Sequence, residues 1–241
     1  MIKKEPILNG NEKQIFATDD PDKVIVRYKD VAVAFNNVKR ARFEGKGALD
    51  NKISALLMKY LGEQGIRNHF ITRTGEDEQL CRKIEIIPIE FIVRNRVAGS
   101  LAARLGIEEG FKPDNLIVEL RYNNDDLDDP FINPDLAVAL GLVNYEEVGR
   151  MIAEARKANE VLKDLFHRIG IELVDLKIEF GRATDNGEII VSDEISPDTA
   201  RLWDEKTGER LDKDRFRLDL SDVVASYRNV YERLTTVLGE N

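Results

Sequence analysis

The sequence is short of the residues that make disulfides and soft-metal sites: its 241 residues hold one cysteine, Cys81, and two histidines, His69 and His167. A lone cysteine cannot close an internal disulfide, and with no Cys or His beside it at ligand spacing it cannot head a zinc site. The histidines stand far apart in the chain, which weighs against a shared metal. A reducing, cytoplasmic setting is the expectation that follows. Long apolar runs are missing too, since the longest, Leu136 to Val143, falls well short of the roughly 20 residues that span a bilayer. The segment Met1-Ile2-Lys3-Lys4-Glu5-Pro6 is polar where a signal peptide would need an apolar stretch. There is no internal repeat, no Gly-x-Ser-x-Gly elbow and no Walker phosphate loop, which argues against a serine hydrolase or a P-loop NTPase. Excess positive charge is also lacking. The 36 Lys+Arg stand against 45 Asp+Glu, a net charge of −9, so nothing draws the whole chain to nucleic acid or to an anionic membrane, although a local basic pocket for a small anion stays open.

What is present is the composition of a globular protein, 42% hydrophobic and 34% charged. A chain of this length removes roughly 70–75% of its unfolded surface from water and forms one or two domains. Strand patterns fill the first third, at Gln14 to Ala17, Val24 to Tyr28, Val31 to Phe35, His69 to Thr72 and Leu80 to Val97. One helix interrupts them, because Ile53, Leu56, Leu57, Tyr60 and Leu61 recur on one stripe before Gly62 and Gly65 end it. A short helix after Ser100, a strand at Ile117 to Tyr122 and an acidic loop from Asn123 to Pro130 come next. The longest helix is predicted from Asn144, a cap with Glu147 as its capping-box partner, to Gly170. Two strands, Ile171 to Gly181 and Glu188 to Ile195, and a helix from about Ser221 to Leu238 complete an α+β pattern with a boundary near residues 85 to 95.

The segment Val174-Asp175-Leu176-Lys177-Ile178-Glu179-Phe180-Gly181 carries the most chemistry. Side chains alternate along a strand, so Asp175, Lys177 and Glu179 share one face and Val174, Leu176, Ile178 and Phe180 the other. The partner strand adds Asp193, Glu194 and Asp198. A two-residue Asn186-Gly187 turn would set Glu194 opposite Glu179, and a three-residue Asp185-Asn186-Gly187 loop would set Asp193 there; the second is the reading adopted. Carboxylates that close repel unless a cation or a proton lies between them, and an all-oxygen donor set suits a hard ion such as magnesium carried on nucleotide phosphates.

A basic cluster runs from Pro88 to Ser100. Arg94 and Arg96 fall on one strand face, and Ser100 stands where it would cap the next helix, so guanidinium, hydroxyl and helix-start amides form a phosphate-binding pattern. Arg201 and Arg217 are candidates for the same pocket. The stretch Leu8 to Phe16, with Gly10 and Lys13, reads as a loop between two strands, and Gly45-Lys46-Gly47 as a turn.

Together these segments resemble the SAICAR synthetase family. The resemblance rests on Ile87-Pro88-Ile89-Glu90 to Arg94, Ala98-Gly99-Ser100, Val174 to Gly181, Asp193-Glu194-Ile195-Ser196-Pro197-Asp198-Thr199 and Arg201-Leu202-Trp203-Asp204. It takes in Gly45-Lys46-Gly47, Asp129-Pro130 and Asp212 to Arg217 as well, and so spans nearly the whole chain in order. It implies an α+β fold, with a small N-terminal antiparallel sheet domain over residues 1–90 that covers the nucleotide and a larger ATP-grasp-like domain over residues 91–241. It implies an ATP-dependent ligase that joins the carboxylate of the ribonucleotide CAIR to the amine of L-aspartate through an acyl phosphate, releasing ADP and phosphate. On that reading Glu179 and Asp193 hold Mg2+, Gly10, Lys13 and Lys46 serve ATP, and Lys177 and Asp175 line the reacting centre. Arg94, Ser100 and Arg201 grip the substrate phosphate, Glu90 meets the imidazole carboxylate, and Arg217 stands nearby. The expected partners are these small molecules, with no nucleic acid and no membrane, in a cytoplasmic homo-oligomer.

The sequence departs from the family pattern at Asn11, where a lysine is usual, in Val31-Ala32-Val33-Ala34-Phe35-Asn36-Asn37, usually rich in polar residues, and at Asn123, often lysine. All three lie where the family handles nucleotide. They motivate a second reading, a CAIR- or nucleotide-binding paralogue with impaired ligation, and a third, a ligase with another amine acceptor.

Overall fold

A computed structural model describes residues 1–35 and 38–239 of the chain. Strands β1 (Lys3–Asn9), β2 (Lys13–Thr18) and β3 (Lys23–Tyr28) form a meander, with Gly10 in the loop between the first two as expected. A small hairpin follows, β4 (Val31–Ala34) and β5 (Lys39–Arg42), and Asn36 and Asn37 lie outside the described residues. Helix α1 (Lys46–Glu63) buries the predicted stripe of Ile53, Leu56, Leu57 and Leu61. Gly62 stays inside its last turn; the stop is Gly65, whose φ of 76° no β-carbon favours. Next come β6 (Phe70–Arg73) and β7 (Glu78–Arg82), which complete an antiparallel sheet in the order β1-β2-β3-β7-β6 with α1 against it.

The apolar stretch from Leu80 to Val97 is two strands rather than one. The backbone of Lys83 donates to Asp22 O and accepts from Thr184 N, so it leaves the first ladder and β8 (Ile84–Arg94) starts the second sheet. The chain continues through α2 (Ser100–Leu105), β9 (Ile117–Tyr122), β10 (Phe131–Ile132), α3 (Pro134–Ala139) and α4 (Tyr145–Arg168) to an interior strand of that sheet, β11 (Ile171–Ala183). Then follow β12 (Ile189–Ser192), β13 (Ala200–Asp204), the one-turn α5 (Asp214–Arg217) and α6 (Val223–Leu238). The order is β10-β9-β8-β11-β12, with β13 taking the other half of the same β11 edge.

Strand β11 is therefore bonded on both edges, which accounts for its burial. Leu176, Ile178 and Phe180 enter the core with Met151, Leu162 and Phe166 of α4, and Phe91 meets Phe180 edge to face at 5.2 Å. The predicted capping box of α4 forms: Asn144 Oδ1 accepts from Glu147 N and Glu147 Oε2 from Asn144 N, each at 2.9 Å.

The β11–β12 register differs from both expected turns. Ala183 N donates to Glu188 O, so residues 184–187 form the loop and Ser192, not Asp193 or Glu194, stands opposite Glu179. Thr184 causes the shift, because its amide bonds Lys83 O and its hydroxyl bonds Asp22 Oδ1, which pulls it out of the ladder. The predicted strand from Glu188 to Ile195 also ends early, at Asp193, whose φ is 61°.

At the end of β13, Asp204 accepts from the amides of Lys206 and Thr207 and from Arg233 of α6 at 2.7 Å. The Arg233 hydrogen bond comes first in lowering its pKa to about 2. A carboxyl depressed on folding adds stability above its unfolded pKa and loses it as pH falls through the folded value. Asp204→Asn should therefore cost about 2 kcal/mol at pH 7, and the penalty should shrink by about half near pH 3. Urea midpoints at the two pH values check this. Among the described residues no helix is long and apolar enough to cross a membrane.

Candidate active site

The polar face of β11 collects the first group. Lys177 Nζ lies 3.0 Å from Glu90 Oε1 and 3.8 Å from Asp193 Oδ2, and it donates to Glu179 Oε1. Glu90 arrives because β8 pairs it directly with Glu179. Asp193 arrives without ladder pairing, since its left-handed backbone swings the carboxylate out of β12, a conformation that Asp tolerates better than most residues. Lys13 of β2 bonds Asp193 and lies 2.9 Å from Glu194, which ties the first sheet to this face. Asn123 donates to Glu179 Oε2 at 3.3 Å, so the side chain that stands at a usual lysine position is engaged with a carboxylate.

The electrostatics follow from this crowding. Burial works against the Lys177 ammonium, but Glu179, Glu90 and Asp193 outweigh it and hold its pKa well above the ordinary lysine value. Burial raises Glu179, and the charges of Asp193 and Glu90 add to the rise. Asp193 moves down despite burial because Lys13 and Lys177 both face it. The four carboxylates Glu90, Glu179, Asp193 and Glu194 meet two ammonium groups, Lys13 and Lys177, which leaves two negative charges uncompensated. That surplus, on oxygen donors alone, fits a hard divalent cation.

The second group is basic and largely anchored. Arg94 is 1% exposed and lies between Glu119 Oε2 at 2.6 Å and Asp175 Oδ2 at 2.7 Å, so it buttresses Asp175 from within the sheet rather than lining open surface. The same Asp175 oxygen accepts from Arg201 Nη1 at 2.8 Å. Gly99, not Ser100, is the cap residue of α2; Ser100 is the first helical residue, and its hydroxyl accepts from Arg121 at 3.0 Å. Gly99 has φ 54° and ψ −129°, and a β-carbon there would run into the Arg201 guanidinium. Arg217, half-buried on α5, donates to Asp214 Oδ1 at 2.6 Å.

Lys46, expected to serve ATP, lies instead in a third group whose pairing the sequence did not reveal. It is 1% exposed and bonds Asp50 Oδ2 at 2.7 Å and also Asp198 Oδ2. Tyr227 donates to Asp198 Oδ1. Burial opposes the Lys46 charge, but Asp198 and Asp50 overcome it and raise its pKa. Asp50, Glu194 and Asp198 bring oxygens within 4.8 Å of one another, a grouping that can hold a metal ion. The i, i+4 spacing of Lys46 and Asp50 was a local signal; the pairing with Asp198 had none. Gly47 is required where it stands, since a β-carbon would lie 2.7 Å from Tyr28 O. Gly10 O accepts from Lys29 Nζ at 2.6 Å, a cation just past the end of β3 that reaches the loop holding Asn11. A separate cavity of about 1060 Å3 between α1 and β6, lined by Met58, Phe70 and Arg73 among others, contains none of these groups.

Comparison with known proteins places the whole chain. A family model described as SAICAR synthetase matches residues 6–234. The chain is 52% identical over 234 residues to a phosphoribosylaminoimidazole-succinocarboxamide synthase of Clostridium botulinum, covering 97% of this chain and 99% of that one. Among solved structures, the synthase of the same name from Ehrlichia chaffeensis superposes with a TM-score of 0.95 at 42% identity, covering 97% and 99% of the two chains. A SAICAR synthetase in complex with ADP superposes with a TM-score of 0.92 at 45% identity, covering 98% and 100%.

Proposed function

The chain belongs to the SAICAR synthetase family, and on that premise we propose how its residues divide the work of an ATP-dependent ligase. The enzyme joins CAIR to L-aspartate in purine biosynthesis, forming SAICAR with release of ADP and phosphate. The observation that carries the division of roles is the convergence of Glu90, Glu179 and Asp193 on Lys177, beside an arginine pair held by Asp175 and Asp214.

Glu179 and Asp193 are the residues to hold Mg2+ on the ATP phosphates, where the ion supplies charge neutralisation. Lys13, with Gly10 beside it in the covering loop, faces those phosphates, and Lys46 supports the same end of the site from beneath through Asp198. Lys177 steadies the phosphoryl group as it passes from ATP to the CAIR carboxylate oxygen. The resulting acyl phosphate is attacked by the aspartate amine, the C–N bond forms, and phosphate leaves. Glu90 orients the carboxylate end of CAIR. Arg201 and Ser100 hold the 5′-phosphate, Arg94 keeps Asp175 in place against Arg201, and Arg217 completes the rim. The ligand of Asn123, Glu179 itself, favours an active enzyme over a binding paralogue, because Asn123 supports the metal carboxylate instead of competing with it.

A cytoplasmic homo-oligomer completes the proposal, and light scattering on the purified protein tests the assembly. The division into residues 1–90 and 91–241 falls within β8, just past the Lys83 link between the sheets.

Purified protein given CAIR, L-aspartate, ATP and magnesium should form SAICAR and ADP in equal amounts; ADP without SAICAR would point to another acceptor. Gly99→Ala should displace Arg201 and raise the KM for CAIR by about tenfold or more, the cost of one charged hydrogen bond, with the KM for ATP unchanged. Steady-state kinetics in both substrates reads this directly.

A further inference from the structure

Two partly buried arginines of the basic group sit on different elements, Arg201 on β13 and Arg217 on α5, and no ladder joins these elements. One side chain spans them. Asp214 Oδ2 accepts from Arg201 Nε at 2.8 Å and from Arg210 Nη1 at 3.4 Å, while its Oδ1 accepts from Arg217 Nη1 at 2.6 Å. The carboxylate is itself held still: its residue is 3% exposed, and its backbone amide donates to Asp212 Oδ1 at 2.7 Å. Asp212 is fixed in turn by the amide of Leu202, the neighbour of Arg201 on β13.

The planar fork of Arg201 is thereby gripped at two nitrogens, Nε by Asp214 and Nη1 by Asp175, which stops the guanidinium from rotating and lays its Nη2 edge over Gly99 at the start of α2. Asp175 also meets the charge of Arg201, through an oxygen it shares with Arg94, so Asp214 and Asp175 hold Arg201 together. Arg217, 29% exposed, needs no buried partner for its charge. Beyond its charge, what the Asp214 carboxylate adds is a set distance between two cations from separate elements, since one oxygen holds Arg201 and the other Arg217.

We propose that Asp214 is a positioning residue that fixes the spacing of Arg201 and Arg217 to fit the substrate's phosphate monoester. The inference rests on the reading that Arg201 grips that phosphate. Burial opposes ionisation of Asp214, but Arg201 and Arg217 overcome it and keep its pKa below the ordinary value, so the link is charged at neutral pH.

The test compares kcat/KM for CAIR with that for its riboside, which lacks the phosphate, in the native enzyme and in Asp214→Asn, Asp214→Glu, Asp212→Asn and Arg201→Ala. Asp214→Asn should lower the preference for the phosphorylated substrate by about tenfold or more, chiefly through KM, with the KM for ATP within about twofold. Asp214→Glu keeps the charge and the fold but lengthens the link by one methylene, and it should lose preference as well. Asp212→Asn keeps only one of the two oxygens that accept from the amides of Asp214 and Leu202, so it loosens the support of Asp214 and should lower the preference in the same direction but less. An equal fall for both substrates in Asp214→Asn, or an unchanged preference in both folded Asp214 variants, overturns the inference. If Arg201→Ala keeps the full preference, the phosphate assignment itself is wrong.

Discussion

Glu179→Gln should abolish turnover, with kcat lower by about a thousandfold or more, while the protein remains folded. Glutamine fills the same volume, its one amide oxygen can still accept from Lys177, and its NH2 takes the place of the oxygen beside Asn123, whose amide can turn to accept. The native carboxylate is under pressure in the free enzyme, raised by burial first and then by Asp193 and Glu90, so a neutral amide relieves repulsion and the thermal midpoint should hold or rise. What is lost is the negative charge that, with Asp193, would hold the divalent ion on the nucleotide. Binding separates this from a general loss of activity: magnesium should tighten ADP binding to the native protein and leave Glu179→Gln almost unaffected, as read by calorimetry. A variant that keeps turnover would move the metal elsewhere, with Asp50, Glu194 and Asp198 the next group to examine.

Lys177→Met should have a comparable effect on kcat, about a thousandfold, for a different reason. Among the described residues the ammonium is the one cation shared by Glu90, Glu179 and Asp193. Its pKa is held well above the lysine norm by those carboxylates against the opposing effect of burial. A lysine raised in this way contributes its charge fully below the unfolded pKa of about 10.4 and loses it only as pH climbs through the higher folded value. Between pH 6 and pH 9 it is therefore a fixed positive charge and not a base. The rate should show no alkaline rise attributable to Lys177 across that window, and the native enzyme's stability should not fall there on its account. A rise of kcat toward pH 9 that disappears in Lys177→Met would show that the neutral amine takes part.

Much of the site was legible because it depends on periods that the backbone imposes on neighbouring residues. Alternation along a strand put Asp175, Lys177 and Glu179 on one face, and the buried Leu176, Ile178 and Phe180 on the other agree with it. The cap of α4 was readable because Asn144 and Glu147 are three residues apart and bond each other. Elements without a strong period were missed: α3 lies in a short apolar run, and β13 and α5 are short segments whose place is set by partners distant in sequence.

The sequence by itself determined the chemistry available to this protein, its acidic strand, its basic cluster and the order of motifs that aligns it with one family, because these follow from residue type and local spacing. The tertiary structure alone decided which charges meet. Thr184 bonding Lys83 and Asp22 moved the hairpin register, so Ser192 rather than Asp193 faces Glu179. Arg94 went inside, Lys46 found Asp198, and Asp214 came to hold two arginines from separate elements. A charge close in space gains several times more from its partner than one left in water, and which charges become close depends on loops and sheet edges that no local pattern encodes.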